Sequence, residues 1–142
     1  MTSASVFTLA TPQRRRSFFQ LCCQEPFRIF FPLGLLIGLS GVSLWPLYFC
    51  GFHKFYPGIM HARLMSEGFL ASFVLGFLGT AAPRLTGTPH FSAAELRTVL
   101  TLLIAAIAAH IAERPTLGDA LFLALLVVFG PGQTKAFIYF QF

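Results

Sequence analysis

The feature that most limits what this chain can fold into is the run from Ile29 to Phe52, 24 residues without one charged side chain. As a helix it would extend about 36 Å, enough to cross roughly 30 Å of hydrocarbon with some tilt. The rest of the chain agrees. It is 56% hydrophobic and 11% charged, with a mean hydropathy of +0.73, whereas a soluble domain carries about 25% charged residues to solvate its surface. The expected fold is all-α, an integral membrane helical bundle of about four transmembrane helices. A cytoplasmic segment, 1–28, precedes a single membrane domain, 29–142.

Three further spans follow from apolar runs and their punctuation. The second covers about 59–82, with Pro83 as its stop. Ser92-Ala93-Ala94-Glu95 is a capping box and opens the third, 93–112. Thr116-Leu117-Gly118-Asp119 has a similar cap pattern and opens the fourth, 117–130, which Gly130-Pro131-Gly132 should break before a C-terminal tail. Residues 1–24 read as mixed and poorly ordered, apart from interfacial contact by Phe18 and Phe19. Pro46 should kink the far end of the first span.

Lysine and arginine set the orientation. Seven of them (Arg14, Arg15, Arg16, Arg28, Arg84, Arg97 and Lys135) fall on the N-terminal side of such a bundle, and three (Lys54, Arg63 and Arg114) on the other. The positive-inside rule therefore places the N-terminus in the cytoplasm, with the protein in the bacterial inner membrane. The same excess is accounted for by topology, so no nucleic-acid partner is expected. Arg14 to Arg16 read as a topology anchor and not as a twin-arginine signal, because Glu25 and Arg28 interrupt the apolar core such a signal needs. Cys22, Cys23 and Cys50 lack zinc-site spacing and read as free thiols, with reversible acylation of Cys22 or Cys23 as the minor alternative.

With this threading, His53, His61 and His110 share the external boundary, and His90 lies inside. Neutral imidazole is the commonest metal ligand, so this convergence makes His61, His110 and His53 candidate ligands. Taken singly, each also suits an interface. From His61, offsets of 7, 11 and 18 return a helix to within about 20° of its start and reach Gly68, Ser72 and Gly79. Such a small-residue stripe admits a close neighbour, either another helix or a flat cofactor. Arg63 and Glu67, four apart on a different face, can pair with each other, hold a cofactor carboxylate or line a proton path. Phosphate loops, nucleophile elbows and zincin pairs are absent from the sequence, so no enzymatic reaction is indicated.

Glu25-Pro26-Phe27-Arg28, then His61-Ala62, then Gly76-Phe77-Leu78-Gly79-Thr80-Ala81-Ala82-Pro83-Arg84-Leu85-Thr86-Gly87 resemble the NnrS family in order and spacing. Its members are polytopic bacterial inner-membrane proteins of the nitric oxide response, described as containing haem and copper. Their pattern reads EPFR, an apolar span, a WHAHE-type motif, then GFLLTAVPNWTG. Here Met60 stands at the tryptophan, Arg63 at the second histidine and Leu64 at the glutamate. The resemblance implies a role in nitric oxide or nitrosative stress, with haem or copper near the periplasmic face. His61 and His110 are the leading ligands, with Arg63 and Glu67 beside the cofactor. The chain reads as the N-terminal portion of such a protein. Two rival readings are an interaction module that self-associates, or joins another membrane subunit, through the small stripe, and a fragment of a transporter.

Overall fold

The structure is a computed structural model that describes residues 17–52, 54 and 56–137, with side chains to Gly130. Arg14 to Arg16 and His53, singled out above, lie outside the described residues. Every regular element among the described residues is helical: α1 Phe18–Gln24, α2 Phe27–Phe49, α3 Gly58–Thr86, α4 Ala93–Ile111 and α5 Pro115–Phe137. The helices α2, α3 and α4 are long and apolar enough to cross a membrane, and α5 contributes a shorter apolar stretch, Pro115–Gly130. A helix satisfies its own backbone donors and acceptors, which lipid cannot do.

The chain folds as two helical hairpins, α2 on α3 and α4 on α5, joined through α3. The hairpins meet in a core of Phe30, Leu75, Leu96, Val99, Leu103 and Leu125, with Cys22 of α1 closing its N-terminal end. A second cluster, Ile37, Leu64 and Ile107, fills the opposite end. Much apolar surface stays outside: Leu35, Leu36, Leu39, Phe77, Ile104, Leu123 and Val127 are exposed. A soluble monomer rarely leaves such large apolar patches uncovered. Lipid is the environment that suits them.

Glycine makes the α2–α3 contact possible. A Cβ at Gly34 would lie 2.8 Å from the Ser72 Cβ, and one at Gly38 would lie 2.6 Å from the Phe69 ring. From the other side, a Cβ at Gly68 would meet Ile37 at 2.4 Å and Ile107 at 3.0 Å, and one at Gly79 would meet Phe91 and Pro26. Gly68, Ser72 and Gly79 are therefore buried within the chain. The expectation that this stripe serves a second protein is corrected: the chain's own helices already cover it.

Several boundaries also differ from the sequence reading. Pro83 does not end α3, which continues to Thr86 and stops at Gly87, whose φ of +67° is the left-handed conformation glycine adopts without strain. Thr116 does not cap α5. The helix begins one residue earlier at Pro115, where proline's missing N–H would be unpaired anyway. Nor does Gly130-Pro131-Gly132 break α5, because proline's fixed φ fits a helical backbone at the loss of one hydrogen bond. α1 is an ordered helix of about two turns, and the burial of Cys22 leaves that thiol no room for an acyl chain. The Ser92 box forms as expected: Glu95 N–H donates to Ser92 Oγ at 3.2 Å and Ser92 N–H donates to Glu95 Oε2 at 2.8 Å.

Within α3, residues Leu64–Leu70 form a π-helical turn. Its i→i+5 bonding takes up one residue more per turn than an α-helix and changes the angle between the segments on either side. Glu67 sits at its middle.

Candidate functional site

Two of the three stretches that carry the family resemblance, Glu25–Arg28 and Gly76–Gly87, meet at the N-terminal end of the bundle. Glu25 accepts from Arg28 Nε at 2.5 Å with one oxygen and from Arg84 Nη2 at 2.8 Å with the other. The Phe27 N–H, which α2 itself cannot satisfy, donates to Thr80 Oγ1 at 3.3 Å, and Thr80 Oγ1 donates on to the Gly76 carbonyl at 2.8 Å. Gly76 admits the Phe27 backbone and the Phe31 ring, which a Cβ would approach to 3.1 and 2.9 Å. Arg28 is thus one arm of a helix-to-helix clamp. The paired arginines, Arg28 foremost, hold the Glu25 carboxyl below the usual carboxylate range.

The opposite end of the bundle holds the chemistry. Arg63 and Glu67 of α3, His110 of α4 and Asp119 of α5 form one connected cluster. Arg63 donates to both oxygens of Asp119, with Nη2 at 3.1 Å from Oδ2, and Arg63 Nη1 lies 3.4 Å from Glu67 Oε1. Glu67 Oε2 lies 2.9 Å from His110 Nε2. An ionised carboxylate only accepts, so His110 Nε2 carries the proton and donates. His110 is 4% exposed, and its Nδ1 has no partner. Gly118, at the start of α5, lies against the face of the imidazole, where a Cβ would come within 2.3 Å of Cε1. An open cavity of about 300 Å³, lined by Tyr56, Met60, Arg63, His110 and Glu113 among others, reaches this cluster from the membrane boundary.

His61 stands apart from it. Its Nδ1 is 2.9 Å from the Gly41 carbonyl oxygen of α2, and its ring sits edge-on to Trp45, with centroids 6.0 Å apart. A carbonyl can only accept, so Nδ1 donates and Nε2 keeps its lone pair, the tautomer a ligating histidine needs. The structure therefore brings together His110, Glu67 and Arg63 of the expected set, while turning His61 toward α2. Asp119 was missed because it reads as a cap residue. The available signal was topological: an acid at the start of α5 lies at the same end of the bundle as Arg63 and His110.

Glu67, His110 and Asp119 each offer a ligand atom, all within 4.8 Å of one another. One imidazole and two carboxylates are a nitrogen–oxygen donor set suited to a divalent transition ion such as copper(II), zinc or iron(II). Bonds of about 2.0–2.2 Å put tetrahedral ligand atoms roughly 3.3–3.6 Å apart, so the set needs a small contraction. It also needs Arg63 to swing aside, since the guanidinium now supplies the positive charge between the two acids.

Fold and site together define an all-helical protein of the membrane, with a histidine–carboxylate–arginine cluster around the buried His110 at one end of its bundle. The chain belongs to the NnrS family, whose model, described as NnrS protein, matches residues 22–133. That interval contains both the Glu25–Arg84 clamp and the His110 cluster. Neither a curated protein nor a solved structure matches the chain.

Proposed function

We propose that this NnrS-family protein acts in the bacterial response to nitric oxide. It sits in the inner membrane with its N-terminus cytoplasmic, and holds a copper ion at the periplasmic end of the bundle. The observation that carries the reading is the Glu67–His110–Asp119 donor set inside the matched interval, reached by an open cavity. His110 Nε2 would supply the nitrogen and the two carboxylates the oxygens, and bound copper would supply one-electron chemistry toward a small diatomic. Arg63 is the resident counter-charge, placed to rejoin the carboxylates when the metal leaves. A metal ion suits this place better than a porphyrin, because His61 and His110 face different neighbours and do not frame one flat cavity.

A second reading has its own support. Arg63 already bridges Asp119 and Glu67, and Glu67 binds His110, so the cluster can serve as a clamp tying α3, α4 and α5 together. Copper titration of the detergent-solubilised protein, with elemental analysis and an absorption spectrum, separates the two. The metal reading expects one copper per chain, lost in His110→Ala and bound more tightly in Arg63→Ala. The clamp reading expects no stoichiometric copper in any variant and lower stability in both. A Soret band in the purified protein would replace copper by haem. Orientation is checked with a membrane-impermeant maleimide, which should label the exposed Cys50 from the periplasmic side.

A further inference from the structure

A groove on the outer surface of α2 and α3 sits directly over the Glu25 clamp. It has a volume of about 390 Å³, and Phe27, Phe31, Phe77, Ala81 and Leu85 make nearly all of its wall, with Arg84 at its rim. The volume falls within the usual range of small-molecule sites, about 300–1,000 Å³. The groove's polar atom is already used, because Thr80 Oγ1 accepts from the Phe27 N–H and donates to the Gly76 carbonyl. The walls therefore recognise hydrocarbon alone, and specificity must come from the rim.

The rim is positive. Two guanidiniums, Arg28 and Arg84, share the single carboxylate of Glu25 and stay 44% and 56% exposed. One charge remains unbalanced at the level where the apolar surface of α2 and α3 gives way to polar residues, the depth of lipid headgroups. Phe77 and Leu85, which line the groove, also belong to the exposed apolar face, so the groove opens toward lipid and not toward the protein interior.

We propose that this groove seats an acyl chain of an anionic phospholipid whose headgroup phosphate rests on Arg84, with Arg28 beside it. Arg84 spends one nitrogen on Glu25 and keeps the remaining donors of its planar fork for phosphate oxygens. An anionic surface attracts basic side chains of this kind, and the cytoplasmic leaflet is the anionic one. The lipid would brace the motif-bearing junction of α2 with α3 and is independent of any metal at the opposite end.

Native mass spectrometry of the whole chain, released from mild detergent with phosphatidylglycerol or phosphatidylcholine at equal mole ratio, tests this. Wild type should retain one phosphatidylglycerol with about fivefold preference, the weight of one basic side chain at an anionic surface. Arg84→Gln should abolish the preference. Glu25→Gln, which breaks the same ion pair but frees both arginines, should increase it, so loss of the clamp alone cannot mimic the result. Ala81→Phe should block lipid retention while leaving the charges in place. Equal retention of the two lipids by wild type would overturn the proposal, as would an unchanged preference in Arg84→Gln. A neutral isoprenoid quinone that displaces phosphatidylglycerol equally well from wild type and Arg84→Gln would overturn it too.

Discussion

Replacing Gly118 by alanine should weaken this protein, although in a helix that change ordinarily helps. Alanine has the better helix propensity by about 0.8–1.0 kcal/mol, so an unobstructed glycine in α5 would give a more stable variant. At Gly118 the added methyl would fall 2.3–2.6 Å from three atoms of the His110 ring. The ring is buried and cannot rotate freely, because Nε2 is bonded to Glu67. Displacing it costs a hydrogen bond to a charged group, about 1.5–3 kcal/mol. Overpacking adds about 1–3 kcal/mol. After the propensity gain, the net loss should be about 1.5–5 kcal/mol. Gly130→Ala is the matched control on the same helix: its Cβ would meet nothing within 4 Å, so it should be neutral or gain up to about 1 kcal/mol. Reversible unfolding in mixed detergent–SDS micelles reads both. Should Gly118→Ala equal or exceed wild type while Gly130→Ala behaves as stated, the packing of α5 on His110 is wrong, and the cluster built around it falls.

Three other substitutions probe separate parts of the structure. Glu113 holds a φ of +57° at the end of α4, where Arg114 N–H bonds the Ala109 carbonyl and Glu113 N–H the His110 carbonyl, so Glu113→Gly should raise stability by about 1 kcal/mol in the same unfolding assay. The Glu25 carboxyl has a depressed pKa. Its contribution is therefore fully present above the unfolded-state value near 4.5 and is lost as pH falls through the lower folded-state value. Glu25→Gln should melt below wild type at neutral pH, and the two thermal melting curves should converge once the pH has fallen through that lower folded-state value. Gly68→Leu must fit a side chain between Ile37 and Ile107 and should cost 2 kcal/mol or more, read on the detergent-solubilised monomer. If instead the monomer is equally stable and only self-association changes, the stripe faces a partner after all.

The bundle was legible in the sequence because bilayer thickness turns an uncharged run into a helix of known length. The runs around Leu36, Leu75 and Leu103 all emerged as helices. The ends were less legible. Pro83 and Pro131 look like terminators, yet both lie within helices, each at the loss of one backbone bond. For the site, the i,i+4 spacing of Arg63 and Glu67 showed that they could meet, and chain threading brought His110 to the same boundary. The partnership of Asp119 could not be read locally, since it joins residues 56 apart. Nor could the preference of His61 for the Gly41 carbonyl, which depends on how α2 rotates against α3. The opening EPFR and the later PRLTG stretch are joined by a contact between residues 59 apart in the chain. They are two halves of one ion-paired junction.

The widened turn at Leu64–Leu70 gives α3 a built-in tolerance. The segment that carries His61 and Arg63 and the segment that packs Ser72 and Gly79 meet across a join that is one residue looser than the helix on either side. Deleting a single residue there would let ordinary helical geometry reassert itself with Arg63 close to its present direction relative to the scaffold below, because the deletion removes only the residue by which the turn is wider. A deletion in the regular part of α3 between the charged head and the buried glycines would instead rotate Arg63 by about 100° and dismantle the cluster. The widened turn is thus a place where this helix can lose a residue while its charged head and the part that holds the bundle together both keep their register.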